Sequence, residues 1–143
     1  MTTCIECGHV CKLVTGKEIY PHRSDLWEKP IWRCTHCPKS YCGCHPGTTE
    51  PLGFAAGPET RRARMLLHER MLDPIWKSAP KKRRRYVRTL TYALLSEQME
   101  LPEDETHTGM WTVEQCREAW RILDSQTYET ILAWREQQKR STA

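Results

Sequence analysis

No stretch of this 143-residue chain approaches the roughly 18 consecutive apolar residues of a membrane-spanning helix. No basic-then-apolar leader precedes the first cysteine either, so a soluble, cytoplasmic protein without a membrane partner is expected. Phenylalanine is almost missing, with one residue against six tryptophans and five tyrosines, and the large rings of a small core must come from the latter two. Carboxylates and histidines do not gather: Asp25, Glu28, His22 and Glu50 are too scattered to surround an open ion, which argues against a metal-dependent nuclease. Cysteine is nearly lacking after residue 44, where Cys116 stands alone.

The first 44 residues hold the other seven cysteines, and four of them form two knuckles, Cys4-Ile5-Glu6-Cys7 and Cys34-Thr35-His36-Cys37, separated by 26 residues. Each C-x2-C pair turns two sulfurs toward one point, and tetrahedral zinc needs four ligands. Cys4, Cys7, Cys34 and Cys37 are therefore expected to close a structural Zn(2+) site with no open position for chemistry. In a chain without an export leader, this spacing favours reduced, metal-bound thiolates over disulfides. His9, Cys11, His22, His36, Cys42, Cys44 and His45 remain as spare ligands for a second metal. Adjacent residues of a strand point to opposite faces, so Cys44 and His45 are a poor pair for one ion, and burial as small apolar groups is the plainer role for Cys42 and Cys44.

An α+β fold is expected: a small N-terminal zinc ribbon of antiparallel hairpin strands, over residues 1–57, packed on a C-terminal module of three to four helices over residues 58–143. In the ribbon, Cys11–Val14 and Glu18–Tyr20 flank Thr15-Gly16-Lys17 and read as a hairpin. Pro30–Arg33 enters the second knuckle as a strand, and Ser40-Tyr41-Cys42 reads as another leaving it. The interval between knuckles exceeds the usual 15–20 residues because of the polar excursion Pro21–Lys29. Residues 44–58 hold several glycines and prolines and form a linker or a loop laid over the ribbon.

Helices follow. One starts near Pro58-Glu59, with Ala63, Leu66, Leu67 and Met71 at helical spacing, and Asp73-Pro74 interrupts or kinks it. Lys81–Met99 makes a second, ended by Pro102. Thr112-Val113-Glu114-Gln115 is a capping box opening a third, whose apolar stripe is Val113, Cys116, Trp120 and Leu123. Tyr128, Ile131 and Leu132 continue it or begin a fourth, and the polar last residues are expected to fray.

The formal net charge of +4 hides an asymmetry. Residues 58–88 carry eleven Lys/Arg against three acids, and residues 89–143 carry five against ten. Four thiolates around one dication would leave the ribbon slightly negative, so a polyanion should meet the middle segment first. Lys81, Lys82, Arg83, Arg84, Arg85 and Arg88 are the candidate phosphate ligands of a DNA or RNA partner, with Arg61, Arg62 and Arg64 on the preceding helix. A solvated helix start is the plainer role of such a run. Five cations at a helix N-terminus oppose the dipole, however, and that conflict favours an external anion. Trp27, Trp32 and Tyr41 are candidate stacking rings from the ribbon. Cys44-His45 with His22 could also supply a thiolate and a base, giving a Cys/His-dependent enzyme as a weaker alternative.

The ordered set Ile19–Leu26, Trp32–Cys37, Gly43–Thr49, Pro51–Gly53, the Arg61–Arg64 helix with His68, Asp73–Trp76 and His107–Trp111 before Cys116 resembles the uncharacterised zinc-finger-containing domain family of bacteria and their phages. The resemblance runs from Cys4 to about Trp120. It implies zinc at the four knuckle cysteines and directs attention to His22, Arg23, Cys44, His45 and His68, with Arg61 and Arg64, as a functional group. It also implies a phage or mobile-element origin, and with it a second function class: an interaction protein that binds and inhibits a host nucleic-acid enzyme or defence protein. The basic run and acidic tail depart most from the family pattern.

Overall fold

A computed structural model describes residues 1–142. They form two compact units, Met1–Arg62 and Ala63 onward, and the division falls inside a helix.

The first unit is built on a three-stranded antiparallel sheet, β1 (Cys11–Thr15), β2 (Pro30–Cys34) and β3 (Tyr41–Cys42), in the order β1-β2-β3. Register runs from Cys11 opposite Cys34 to Thr15 opposite Pro30. β1 thus pairs with β2, and the hairpin expected between Cys11–Val14 and Glu18–Tyr20 does not form. Gly16–Ile19 is instead a one-turn helix, α1. Gly16 is there for room rather than for a turn: a Cβ on it would lie 1.7 Å from the carbonyl oxygen of Leu26. Its N–H donates to Lys29 O (2.8 Å) and that of Lys17 to Trp27 O (3.3 Å), so the Pro21–Lys29 excursion folds back onto α1 before entering β2. The loop after β3 lies over the ribbon. Cys44 bridges Pro51, Tyr41 and Ala56 exchange N–H···O bonds of 3.1 Å, and Ile5 N–H donates to Ala55 O. Ala55 and Ala56 are fully buried, which only small side chains allow at such close backbone approach.

Five α-helical segments follow: α2 (Pro58–Leu67), α3 (Asp73–Lys77), α4 (Arg84–Met99), α5 (Val113–Leu123) and α6 (Tyr128–Thr142). The interruption expected at Asp73-Pro74 takes the form of a π turn, His68–Leu72, joining α2 to α3 without a break. Proline lacks an N–H and its ring excludes the carbonyl four residues back. Lengthening the preceding turn, with Asp73 N–H donating to His68 O, admits it. Lys81–Arg83 is a 3-10 turn leading into α4. That helix ends at Glu100 in the left-handed conformation (φ 53°), where Leu101 N–H donates to Ser96 O.

At the start of α5, Thr112 Oγ1 accepts from Gln115 N–H (3.1 Å) and Gln115 Oε1 from Thr112 N–H (3.0 Å), a reciprocal capping box. The second unit's core joins Leu67, Val87, Leu90, Leu94, Leu95, Leu123 and Ile131 around Trp111, its largest fully buried side chain. The indole N–H of Trp111 donates to Glu105 O (3.2 Å), so the ring is buried without an orphaned donor. Helix α6 extends to Thr142, through the residues expected to fray. Among the described residues, no helix is long and apolar enough to cross a membrane.

Candidate metal centre and nucleic-acid interface

The four knuckle sulfurs meet. Cys4 and Cys7 flank the first turn, where Gly8 takes φ 79° and returns its N–H to Cys4 O (2.8 Å). Cys34 ends β2 and begins the second turn, which is held by N–H···S bonds from His36 (3.3 Å) and Cys37 (3.2 Å) to Cys34 Sγ. All four Sγ atoms lie within 4.8 Å of one another, with Cys7 and Cys34 at 3.5 Å. Four thiolates about 2.3 Å from one zinc ion would stand roughly 3.8 Å apart in a tetrahedron. The donor set and its size therefore fit Zn(2+), and four protein ligands leave no coordination position for a substrate.

Partners around the thiolates were not visible in the spacing. The buried Ser40 hydroxyl lies 2.9 Å from Cys4 Sγ, and His9 Nδ1 lies 3.3 Å from Cys7 Sγ. Such hydrogen bonds orient ligands and spread their charge. The His9 ring stacks on that of His36 at 4.6 Å, joining the two turns across their tips. Burial pushes the Cys34 thiol up, but the N–H groups of Cys37 and His36 outweigh it and bring it down from 9.0 to about 7. A thiol lowered in this way gives up its proton to a metal more readily than an ordinary one. Cys11, buried behind the site, is pushed up to about 12 by burial and the neighbouring Cys34.

The Gly43–Thr49 loop lines a groove of about 840 Å³ with Tyr20, Lys29 and Tyr41. Cys44 faces it half-buried, its thiol raised above 9.0 by burial, while His45 is exposed. His22 is exposed beside the edge of Tyr20, and Arg23 forms a 2.7 Å ion pair with Asp25. His68 belongs to the second unit, where its Nδ1 lies 3.2 Å from Asp73 Oδ1 across the π turn and the indole N–H of Trp76 donates to the same oxygen.

The basic residues divide by what they touch. The Arg61 guanidinium lies 3.7 Å from the centroid of Tyr41 and donates to Lys39 O and Ala56 O at 2.6 and 2.5 Å. Arg64 Nε donates to Trp111 O (2.9 Å), so both arginines hold structure, whereas Arg62 is exposed. Arg84 is half-buried and donates to Ala79 O. Lys81, Lys82, Arg83, Arg85 and Arg88 are exposed, and among the described residues none of them forms a salt bridge. The chain has no acid at all between Asp73 and Glu97. Helical offsets alone gave no means of separating the pinned arginines from the exposed ones, because the acceptors are backbone carbonyls outside the helices that carry them.

Of the three ribbon rings, Tyr41 is covered by Arg61. Trp32 is half-buried with its N–H on Thr49 O (2.7 Å), and Trp27 is 37% exposed under the Lys17 ammonium.

A three-stranded sheet carrying two cysteine knuckles, followed by helices, defines a structural zinc-binding protein of α+β class. The chain belongs to the zinc-finger-containing domain family, whose pattern matches residues 1–126. No curated protein and no solved structure matches it significantly.

Proposed function

We propose that this is a zinc-stabilised nucleic-acid-binding protein whose phosphate contacts come from Lys81, Lys82, Arg83, Arg85 and Arg88, with Arg62 as an outlying cation. The observation that carries the reading is the unbalanced charge at the start of α4. Five exposed cations have no carboxylate partner among the described residues, and they sit at or just before the helix end where positive charge is unfavourable. A bound polyanion would neutralise them. Arg61, Arg64 and Arg84 support the surface from within rather than contacting phosphate. A zinc-finger family is compatible with such a partner.

Fluorescence anisotropy across a salt series tests the reading. Phosphate contact predicts a log-log slope of about −0.7 to −0.9 for each neutralised phosphate. No binding at low salt, or a flat salt dependence, would refute it.

A second reading, an interaction protein that inhibits a host enzyme, draws on an apolar groove of about 360 Å³ formed by Ala63, Leu66, Cys116 and Trp120 with Arg117 and Arg121 at its rim. It predicts a stoichiometric complex from host lysate that survives nuclease treatment.

A further inference from the structure

We propose that the basic start of α4 takes a single strand rather than a duplex, with Tyr86 as the platform for an unstacked base. This rests on the nucleic-acid reading above and narrows it to a ligand class.

Tyr86 keeps 40% of its surface exposed in the third position of α4, among residues that are otherwise cationic. Its neighbour Val87 is fully buried, so the helix has a core face and Tyr86 lies off it. The Arg83 guanidinium sits 5.6 Å from the Tyr86 centroid, pairing a phosphate ligand with an aromatic face. A second ring orders the neighbouring cations. Trp76, fixed by its N–H on Asp73, holds Lys77 Nζ and the Arg88 guanidinium 5.4 and 5.7 Å from its centroid. Base stacking on an exposed ring beside a run of cations is the physical basis of sequence-tolerant single-strand binding, because every base has a π face while a duplex keeps its faces stacked.

The charge distribution along α4 points the same way. A helix reading a duplex lies in a major groove about 12 Å wide, with phosphates along both walls. Here the cations stop at Arg88, and the exposed positions of α4 that follow are Thr89, Glu97 and Gln98, none of them basic and one an acid. The footprint is short, aromatic and confined to one end of the helix.

The test measures anisotropy of a labelled 20-nucleotide strand and of its duplex against the full chain and its Tyr86→Leu, Tyr86→Phe and Arg85→Gln variants. The single strand should bind more tightly than the duplex. Tyr86→Leu should weaken the single strand about 5- to 150-fold, the range expected for one stacked base, with the salt slope unchanged. Tyr86→Phe should restore binding, while Arg85→Gln should lower the slope by about 0.7. Thermal melts of each variant separate loss of fold from loss of ring. Equal or tighter duplex binding, or a neutral Tyr86→Leu, overturns the single-strand proposal and leaves the phosphate reading standing. Absence of binding to either polymer at low salt sinks both.

Discussion

If the cations at the start of α4 serve a ligand, removing them should make the protein more stable while it binds less. The perturbation is the triple variant Lys81→Gln, Lys82→Gln, Arg85→Gln. These side chains form no salt bridge among the described residues, so glutamine leaves no partner stranded. Arg85 stands at the second position of α4, and Lys81 and Lys82 in the 3-10 turn before it. Each positive charge near a helix N-terminus costs about 0.3–1 kcal/mol at low salt, and the Lys81/Arg85 spacing of four adds about 0.2–0.5 kcal/mol of like-charge repulsion. Full exposure and incomplete additivity reduce the sum, leaving a gain of about 1 kcal/mol. For a cooperative unit of 60–100 residues that is about 4–8 °C in Tm. The gain should appear in a thermal melt at 10 mM salt and vanish near 1 M, where the screening length falls to about 3 Å. Nucleic-acid affinity should fall in parallel, with the salt slope smaller by about 2. A triple variant that melts lower than the parent at low salt would refute the reasoning, since the cations would then hold the fold. A gain independent of salt would refute its electrostatic basis.

Gly16→Ala should destabilise the first unit by more than the 1–3 kcal/mol usual for overpacking, because the new methyl meets the backbone carbonyl of Leu26 and neither chain can swing away; a denaturant midpoint equal to the parent's would contradict this. Protein prepared without added zinc should carry about one ion per chain. Chelation should lower the denaturant midpoint reported by resonances of residues 1–62 and leave that reported around Trp111 unchanged, each unit having its own core. In the metal-free chain the Cys34 thiol is depressed from 9.0 to about 7. Its ionised form therefore contributes to stability in full above pH 9.0, and that contribution is lost as the pH falls through about 7. Denaturant midpoints across that window, compared with Cys34→Ser, measure the loss, and no difference in pH dependence between the two would count against the N–H···S geometry.

The sequence made legible whatever is decided within a few residues. The knuckles are such a case: C-x2-C fixes two sulfurs on one turn, and all four sulfurs converge as the spacing demands. The Thr112–Gln115 box is another, since both bonds lie within one helical turn. Gly16 misled because a glycine between two short apolar runs has the pattern of a hairpin turn. Its actual role, clearance beneath Leu26 O, depends on the Pro21–Lys29 excursion folding back and leaves no local mark. Pro74 was legible as a disturbance but not as a π turn, because the remedy lies in the carbonyl of His68, five residues before Asp73. Arg61 and Arg62 are neighbours of the same type, yet one caps a tyrosine and two carbonyls while the other faces solvent. Only tertiary placement distinguishes them.

That distinction narrows where function can reside. The metal site is closed by four thiolates, and its remaining polar neighbours, Ser40 and His9, are engaged with sulfur. Arg61 and Arg64, part of the motif set that marks the family resemblance, are engaged with carbonyls and aromatic rings inside their own units. His68 is engaged with Asp73. Each of these has a structural reason to be the residue it is. Lys81, Lys82 and Arg85 have no reason of that kind, and Arg83 and Arg88 have only the faces of Tyr86 and Trp76: all five are exposed, lack salt-bridge partners among the described residues and lie near the helix end that disfavours positive charge. A feature that opposes the stability of the fold carrying it calls for a cause outside the fold, and the polyanion proposed above would supply one.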